Sequence, residues 1–163
     1  DHNYVEGVQG DPEIMKSPGE YTIGGISIKG VPTFHDDVKG AKRGPNIIYT
    51  FEIDGIKVCH AGDLGHLLSK AQLEEVGEVD VLIIPVGGTF TLGAEGAAAA
   101  VEQFGPKITI PMHFKTPAVS MPIDPVDVFL EKMGEGEYLD SDTIEITPET
   151  LGAQHRIIVM KYE

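Results

Sequence analysis

Val79 to Gly87 reads VDVLIIPVG. Such a segment has almost no polar side chain to show to water, so it predicts a strand covered on both faces. A strand of that kind belongs inside a sheet with other layers packed over it. Its length is far short of the about 20 apolar residues that span a bilayer. At 163 residues the chain is long enough for one domain with a real core. No repeat, low-complexity stretch or linker divides it, so a single domain over residues 1–163 is expected.

Other strands surround this one in the sequence. GISIKGVPTF (Gly25 to Phe34) alternates and is rich in β-formers. NIIYTFEI and IKVCH flank Asp54-Gly55, a two-residue hairpin signal. KITIPMH (Lys107 to His113) and HRIIVMKY near the C-terminus complete the set. Helices fall between the later strands. Ser69 and Gln72 form a capping box ahead of KAQLEEV, and Gly77 stops that helix. AEGAAAAVEQF is Ala-rich and ends at Gly105-Pro106. In DPVDVFLEKMG, Asp124 is the expected N-cap and Pro125 the first helical residue. Strands first, then strands alternating with helices, predict a layered α/β fold.

Composition narrows the function. Twelve Lys and Arg against 26 Asp and Glu leave a formal charge of −14. Nucleic-acid binding depends on neutralising phosphates with Lys and Arg, so no nucleic-acid partner is expected. The single cysteine, Cys59, excludes an internal disulfide and fits a reducing, cytoplasmic setting. Cys59 alternates with His60 on one strand, which makes it a small core residue. Neither a signal peptide nor a membrane segment is visible, so no membrane partner is expected.

The chemistry gathers at strand ends. His35 closes the strand in PTFHDD. His60, Asp63 and His66 lie in CHAGDLGH, just past the hairpin. Gly87, Gly88 and Thr89 follow the buried strand, and His113 ends the next one in IPMHF. Strand ends in α/β folds face the crevice where ligands bind. Each residue alone has an ordinary reading: a hydrogen-bonded His, or a Gly-Asp turn. The recurrence of His35, Asp63 and His113 on separate strands brings in a second reading. Imidazole with carboxylate is the donor set of a zinc or iron hydrolase site. A Ser-based hydrolase would want a Gly-x-Ser-x-Gly elbow, and the sequence has none.

PTFHD, HAGDLGH, IIPVGGTFTLGAEGAAAA and IPMHFKT, in that order, resemble the metallo-β-lactamase-fold hydrolases. The resemblance is to the small bacterial Zn-dependent branch that includes ascorbate-6-phosphate lactonase-like proteins. It implies an αββα sandwich and a pair of divalent metals, with zinc first and Mn or Fe as alternatives. It also implies a motif His-x-His-x-Asp-His, whose final Asp-His matches Asp1 and His2. On the same ground His35 matches a ligand of the first metal, Asp63 the carboxylate shared by both, and His113 a ligand of the second. Two further His are implied upstream of Asp1, so the domain is expected to be incomplete at that end. A chain without that pair is expected to bind metal more weakly and to be inactive.

Lower in rank are His60, His66, Gly88, Thr89 and Lys115. They are candidates for orienting ligands or touching a substrate, against ordinary roles in turns and on the surface. The implied activity is hydrolysis of a small ester, lactone or phosphoester, with Asp63 as the central catalytic residue. The alternatives are a non-catalytic metal- or ligand-binding module, a metal-dependent nuclease, and a redox diiron enzyme. The acidic charge speaks against the nuclease, and the length leaves no room for the flavin domain of the last. A small-molecule substrate is the expected partner. Self-association is a further expectation, because an incomplete sandwich exposes sheet surface.

Overall fold

The computed structural model describes residues 5 and 7–162. Eight strands form one mixed sheet: β1 (Gly19–Ile23), β2 (Ile26–Phe34), β3 (Pro45–Ile53), β4 (Ile56–His60), β5 (Val81–Pro85), β6 (Ile108–Met112), β7 (Glu137–Tyr138) and β8 (Arg156–Val159). Their spatial order is β1-β2-β3-β4-β5-β6-β8-β7. The first four pair antiparallel and the rest pair parallel. β2 and β4 therefore run the same way, and β5, β6 and β8 follow β4. The C-terminal ends of β2, β4, β5 and β6 all reach one edge.

The hairpin at Asp54-Gly55 forms as expected. Ile53 pairs with Ile56, and Asp54 and Gly55 take φ of 50° and 79°, the double positive φ of a two-residue primed turn. A second hairpin of the same kind joins β1 to β2 through Gly24-Gly25, with φ of 59° and 82°. β1 lies ahead of the strand expected from Gly25 and is an additional strand.

Helices α1 (Lys70–Val76), α2 (Ala94–Phe104) and α3 (Val126–Met133) cover one sheet face. Ser69 and Gln72 cap α1 reciprocally, as the pattern predicts. The cap of α3 differs from expectation. Pro125 occupies the cap position, and no side chain caps the helix. Asp124 is used elsewhere: its N–H donates to the Gly87 carbonyl at 2.7 Å and its carbonyl accepts from Lys115 N–H at 2.8 Å.

Val31, Ile48, Cys59, Leu82, Ile84 and Ile157 pack under the helices. Cys59 is fully buried, and burial pushes its thiol up to about 12, so it serves as inert core. On the other face Ile56, Val81, Ile108 and Ile158 pack with Leu151 and, partly buried, Ile144 and Ile146. β5 is thus covered on both sides, as its composition demands. The described residues thus form a mixed α/β arrangement consistent with the expected αββα sandwich. No helix there is long and apolar enough to cross a membrane.

Asp80 ties the starts of three strands together. Its backbone bonds Lys57, Lys107 and Ile108, and its carboxylate accepts from Lys57 N–H at 2.9 Å and meets Lys107 Nζ at 3.0 Å. Burial works to raise its pKa, but these donors outweigh it and hold the carboxyl below its usual 3.8. A depressed folded value stabilises above the unfolded value and is lost as pH falls below it. Asp80→Asn is therefore expected to be less stable than the unmodified chain at pH 6. The gap should narrow as denaturation is repeated below pH 3.8. A gap that stays constant with pH would contradict this.

Candidate metal centre

His35 follows β2, Asp63 follows β4, Gly87 to Thr89 follow β5, and His113 follows β6. The shared strand direction places all four at one edge of the sheet. Within that edge His35 and Asp63 meet: Nε2 lies 3.4 Å from Oδ2, with the side chains 12 % and 24 % exposed. The other His35 nitrogen, Nδ1, is 3.0 Å from the Phe90 carbonyl. A carbonyl only accepts, so Nδ1 carries the proton and donates. In the neutral ring this leaves the Nε2 lone pair facing a carboxylate. Two electron-pair donors so placed call for a proton or a cation between them.

A cation fits the spacing. Zinc bonds of about 2.1 Å to nitrogen and oxygen at the tetrahedral angle set the two donors about 3.4 Å apart. His113 adds a separate sign. Its Nδ1 is buried and has no hydrogen-bond partner among the described residues. Buried polar atoms are almost always satisfied, so an orphaned imidazole nitrogen fits a missing ligand. His113 also adopts φ of 51°, and Thr89 φ of 59°. Left-handed backbone at non-glycine residues costs about 1–3 kcal/mol and concentrates at functional sites.

The structure joins only part of the expected set. Among the described residues, no three His, Cys, Asp or Glu come together closely enough to hold a metal by themselves. His35 pairs with Asp63, and His113 stands at the next strand end but one. Asp1 and His2 lie outside the described residues.

Close backbone contacts lock the loops that carry these side chains. Gly65 lies against the backbone after β2: a Cβ there would sit 2.4 Å from His35 C and 2.4 Å from Asp36 N. Gly65 N–H donates to the Phe34 carbonyl at 3.0 Å. Gly87 is equally tight, since a Cβ would lie 2.2 Å from the His113 carbonyl oxygen. Asp36, beside His35, is almost fully buried and folds loop 37–44 around itself. It accepts four N–H groups, from Val38, Gly40, Lys42 and Arg43, at 2.7–3.0 Å. Burial opposes its charge, but these four donors prevail and hold its pKa at about 2. Arg43 then reaches across to the Thr89 carbonyl at 2.7 Å and over the Phe90 ring, 5.6 Å from its centroid. Loop 36–44 thereby braces the loop whose carbonyl orients His35.

The lower-ranked candidates take orienting or structural positions. His66 Nε2 accepts from Phe34 N–H at 3.1 Å and Nδ1 donates to the Leu67 carbonyl at 2.8 Å. Both its nitrogens are engaged, and it pins the end of β2. His60 Nδ1 accepts from Gly62 N–H at 3.1 Å. Surrounding protein desolvates His60 and lowers its pKa, with the Asp63 charge opposing. Thr89 Oγ1 donates to the Pro122 carbonyl at 2.6 Å, and Lys115 Nζ to the Met121 carbonyl at 2.9 Å. Gly88, just before Thr89, takes φ of 70°. An open cleft of about 550 Å³ lies at the opposite edge, lined by Lys29, Thr50, Glu52, Lys57 and Glu78 among others. Size alone does not make it the site: the orphaned imidazole and the facing donors are at the other edge.

A family model described as a β-lactamase superfamily domain matches residues 1–113, which include every strand-end residue above. The chain belongs to this superfamily. A protein named UPF0173 metal-dependent hydrolase, from Thermococcus onnurineus, is 37 % identical over 117 residues, covering 70 % of this chain and 52 % of that protein. The β-lactamase-superfamily chain spans about half the length of the curated relatives it matches. A crystal structure from Thermotoga maritima, assigned to the Zn-dependent hydrolases of the metallo-β-lactamase superfamily, superposes with a TM-score of 0.84. It is 41 % identical, over 98 % of this chain and 77 % of that one. A metallo hydrolase from Ignicoccus hospitalis shares the fold at 21 % identity and a TM-score of 0.56, over 90 % and 56 % of the two chains. The metallo-β-lactamase fold inferred from the motifs is thus the fold of this chain.

Proposed function

We propose that the chain is the greater part of a metal-dependent hydrolase acting on a small ester, lactone or phosphoester. The observation that carries this reading is the facing pair, His35 Nε2 and Asp63 Oδ2, at 3.4 Å. The orphaned Nδ1 of His113 and the names of the relatives support it.

In this reading His35 and Asp63 would hold one divalent ion, and Asp63 would also serve a second. His113 would hold that second ion together with Asp1 and His2, the assignment implied by the family motif. Nitrogen and oxygen donors without thiolate suit zinc first, with Mn and Fe compatible. Bound metal supplies Lewis acidity and lowers the pKa of a water from 15.7 toward about 7. The chain's own part is to fix the donors. The Phe90 carbonyl selects the His35 tautomer, and the packed glycine contacts set the spacing between strand ends. A small-molecule substrate would meet the metal at this end of the sheet. The charge of −14 gives a nucleic-acid substrate nothing to hold.

The test compares the chain with a version extended upstream to include the His-x-His-x pair. Each is stripped with a chelator, reloaded with zinc and assayed on ester, lactone and phosphoester panels. The extended protein should hydrolyse at least one class only when reloaded, and the shorter chain should bind zinc more weakly and be inactive. Hydrolysis that survives chelation would overturn the proposal.

A further inference from the structure

Asn46 stands near the start of β3, directly opposite Thr33 of β2 in the register. Its carboxamide makes three hydrogen bonds, one to β2 and two to the loop that follows β4. Nδ2 donates to Thr33 Oγ1 and to the Ala61 carbonyl, both at 2.9 Å. Oδ1 accepts from Asp63 N–H, also at 2.9 Å. Backbone chemistry fixes the orientation of the amide. The Ala61 carbonyl can only accept and the Asp63 N–H can only donate, so a flipped side chain would set like against like at both. The Thr33 side chain is 1 % exposed and Ala61 is fully buried, so water cannot readily replace these partners. Gly62, between Ala61 and Asp63, has φ of 59°, and a Cβ there would lie 2.5 Å from Asn46 Oδ1. The turn that presents Asp63 is therefore wrapped directly on the Asn46 side chain.

We propose that Asn46 is the positioning residue for the Asp63 carboxylate, fixing where the end of β4 delivers it beside His35. The proposal rests on the metal reading of Asp63. It requires a donor and an acceptor on one planar group, which neither Ala nor the isosteric Asp supplies. A carboxylate at position 46 would keep the acceptor for Asp63 N–H but turn an oxygen against the Ala61 carbonyl.

The experiment titrates Co(II) into the full chain and reads affinity and the visible spectrum. Asn46→Ala and Asn46→Asp are each expected to weaken binding about 10–100-fold, as loss of partners that orient metal ligands does. The spectrum should change as well, because the coordination geometry shifts. Thr33→Val removes a bond to the same amide but leaves Asp63 held. It should lower thermal stability while leaving the Co(II) spectrum as it was. A folded Asn46 variant with unaltered affinity and spectrum would overturn the proposal. Asp63→Ala, run beside it, separates the two claims. If that variant loses Co(II) while the Asn46 variants keep it, the positioning role fails alone. If it too keeps Co(II), the metal reading fails and takes the positioning role with it. Should neither Asn46 variant fold, hydrogen exchange at the Asp63 amide of the unmodified chain decides. Strong protection supports the Asn46 bond, and exchange at the rate of an open loop amide overturns it.

Discussion

Asp63→Ala is expected to strip the site of its metal while leaving the fold in place. The Asp63 side chain is 24 % exposed and lies at a strand end, outside both apolar clusters. Its removal opens no core cavity, and the N–H that bonds Asn46 belongs to the backbone and survives the substitution. Surface changes of this kind usually alter stability by about 0.5 kcal/mol or less. The metal loses the carboxylate facing His35, and in the proposed reading both ions lose it at once. The fall in affinity should exceed the about 10–100-fold typical of an outer partner. Metal content by mass spectrometry, set beside thermal melting, checks both halves. A stable variant with undiminished metal would show that Asp63 is no ligand.

Gly65→Ala should do the reverse and damage site and fold together. The added methyl would sit 2.4 Å from two backbone atoms, His35 C and Asp36 N, and 2.5 Å from the His35 carbonyl oxygen. Flexible side-chain ends can turn aside, but backbone must move as a unit. The chain after β4 would have to lift from the end of β2, breaking the Gly65 N–H bond to Phe34 and the His66 bond to Phe34 N–H. Overpacking of this kind costs about 1–3 kcal/mol, and backbone contacts belong at the upper end. The same shift parts His35 from Asp63, so metal affinity should fall even where the variant still folds. Urea denaturation and metal titration together test this. A variant matching the unmodified chain in both would mean that Gly65 is not wedged against β2.

What the sequence disclosed follows from the kind of signal each residue gives. β5 was legible because a strand with apolar residues on both faces has no other stable place. The hairpin at Asp54-Gly55 was legible because the turn needs positive φ at both positions. His35 and Asp63 were found as polar residues recurring at strand ends, and the structure puts them in contact. β7 is two residues long and exposed, too short to carry any alternation. Asp124 looked like a cap because Asp-Pro is a helix start signal, yet its backbone was taken by Gly87 and Lys115. Asn46 gave no signal at all. Its importance lies in three partners on two other segments, and nothing in PNIIYTFEI announces them. Gly65 gave no signal either, because its constraint is close backbone contact in space.

The proposed function stands on a divalent ion held between His35 and Asp63. An anomalous difference map at the zinc edge, from crystals of the zinc-loaded chain, tests it without assuming a substrate. A peak is expected about 2.0–2.2 Å from both His35 Nε2 and an Asp63 carboxylate oxygen. A zinc-loaded crystal with no peak at that position, and peaks only on other side chains, would contradict it.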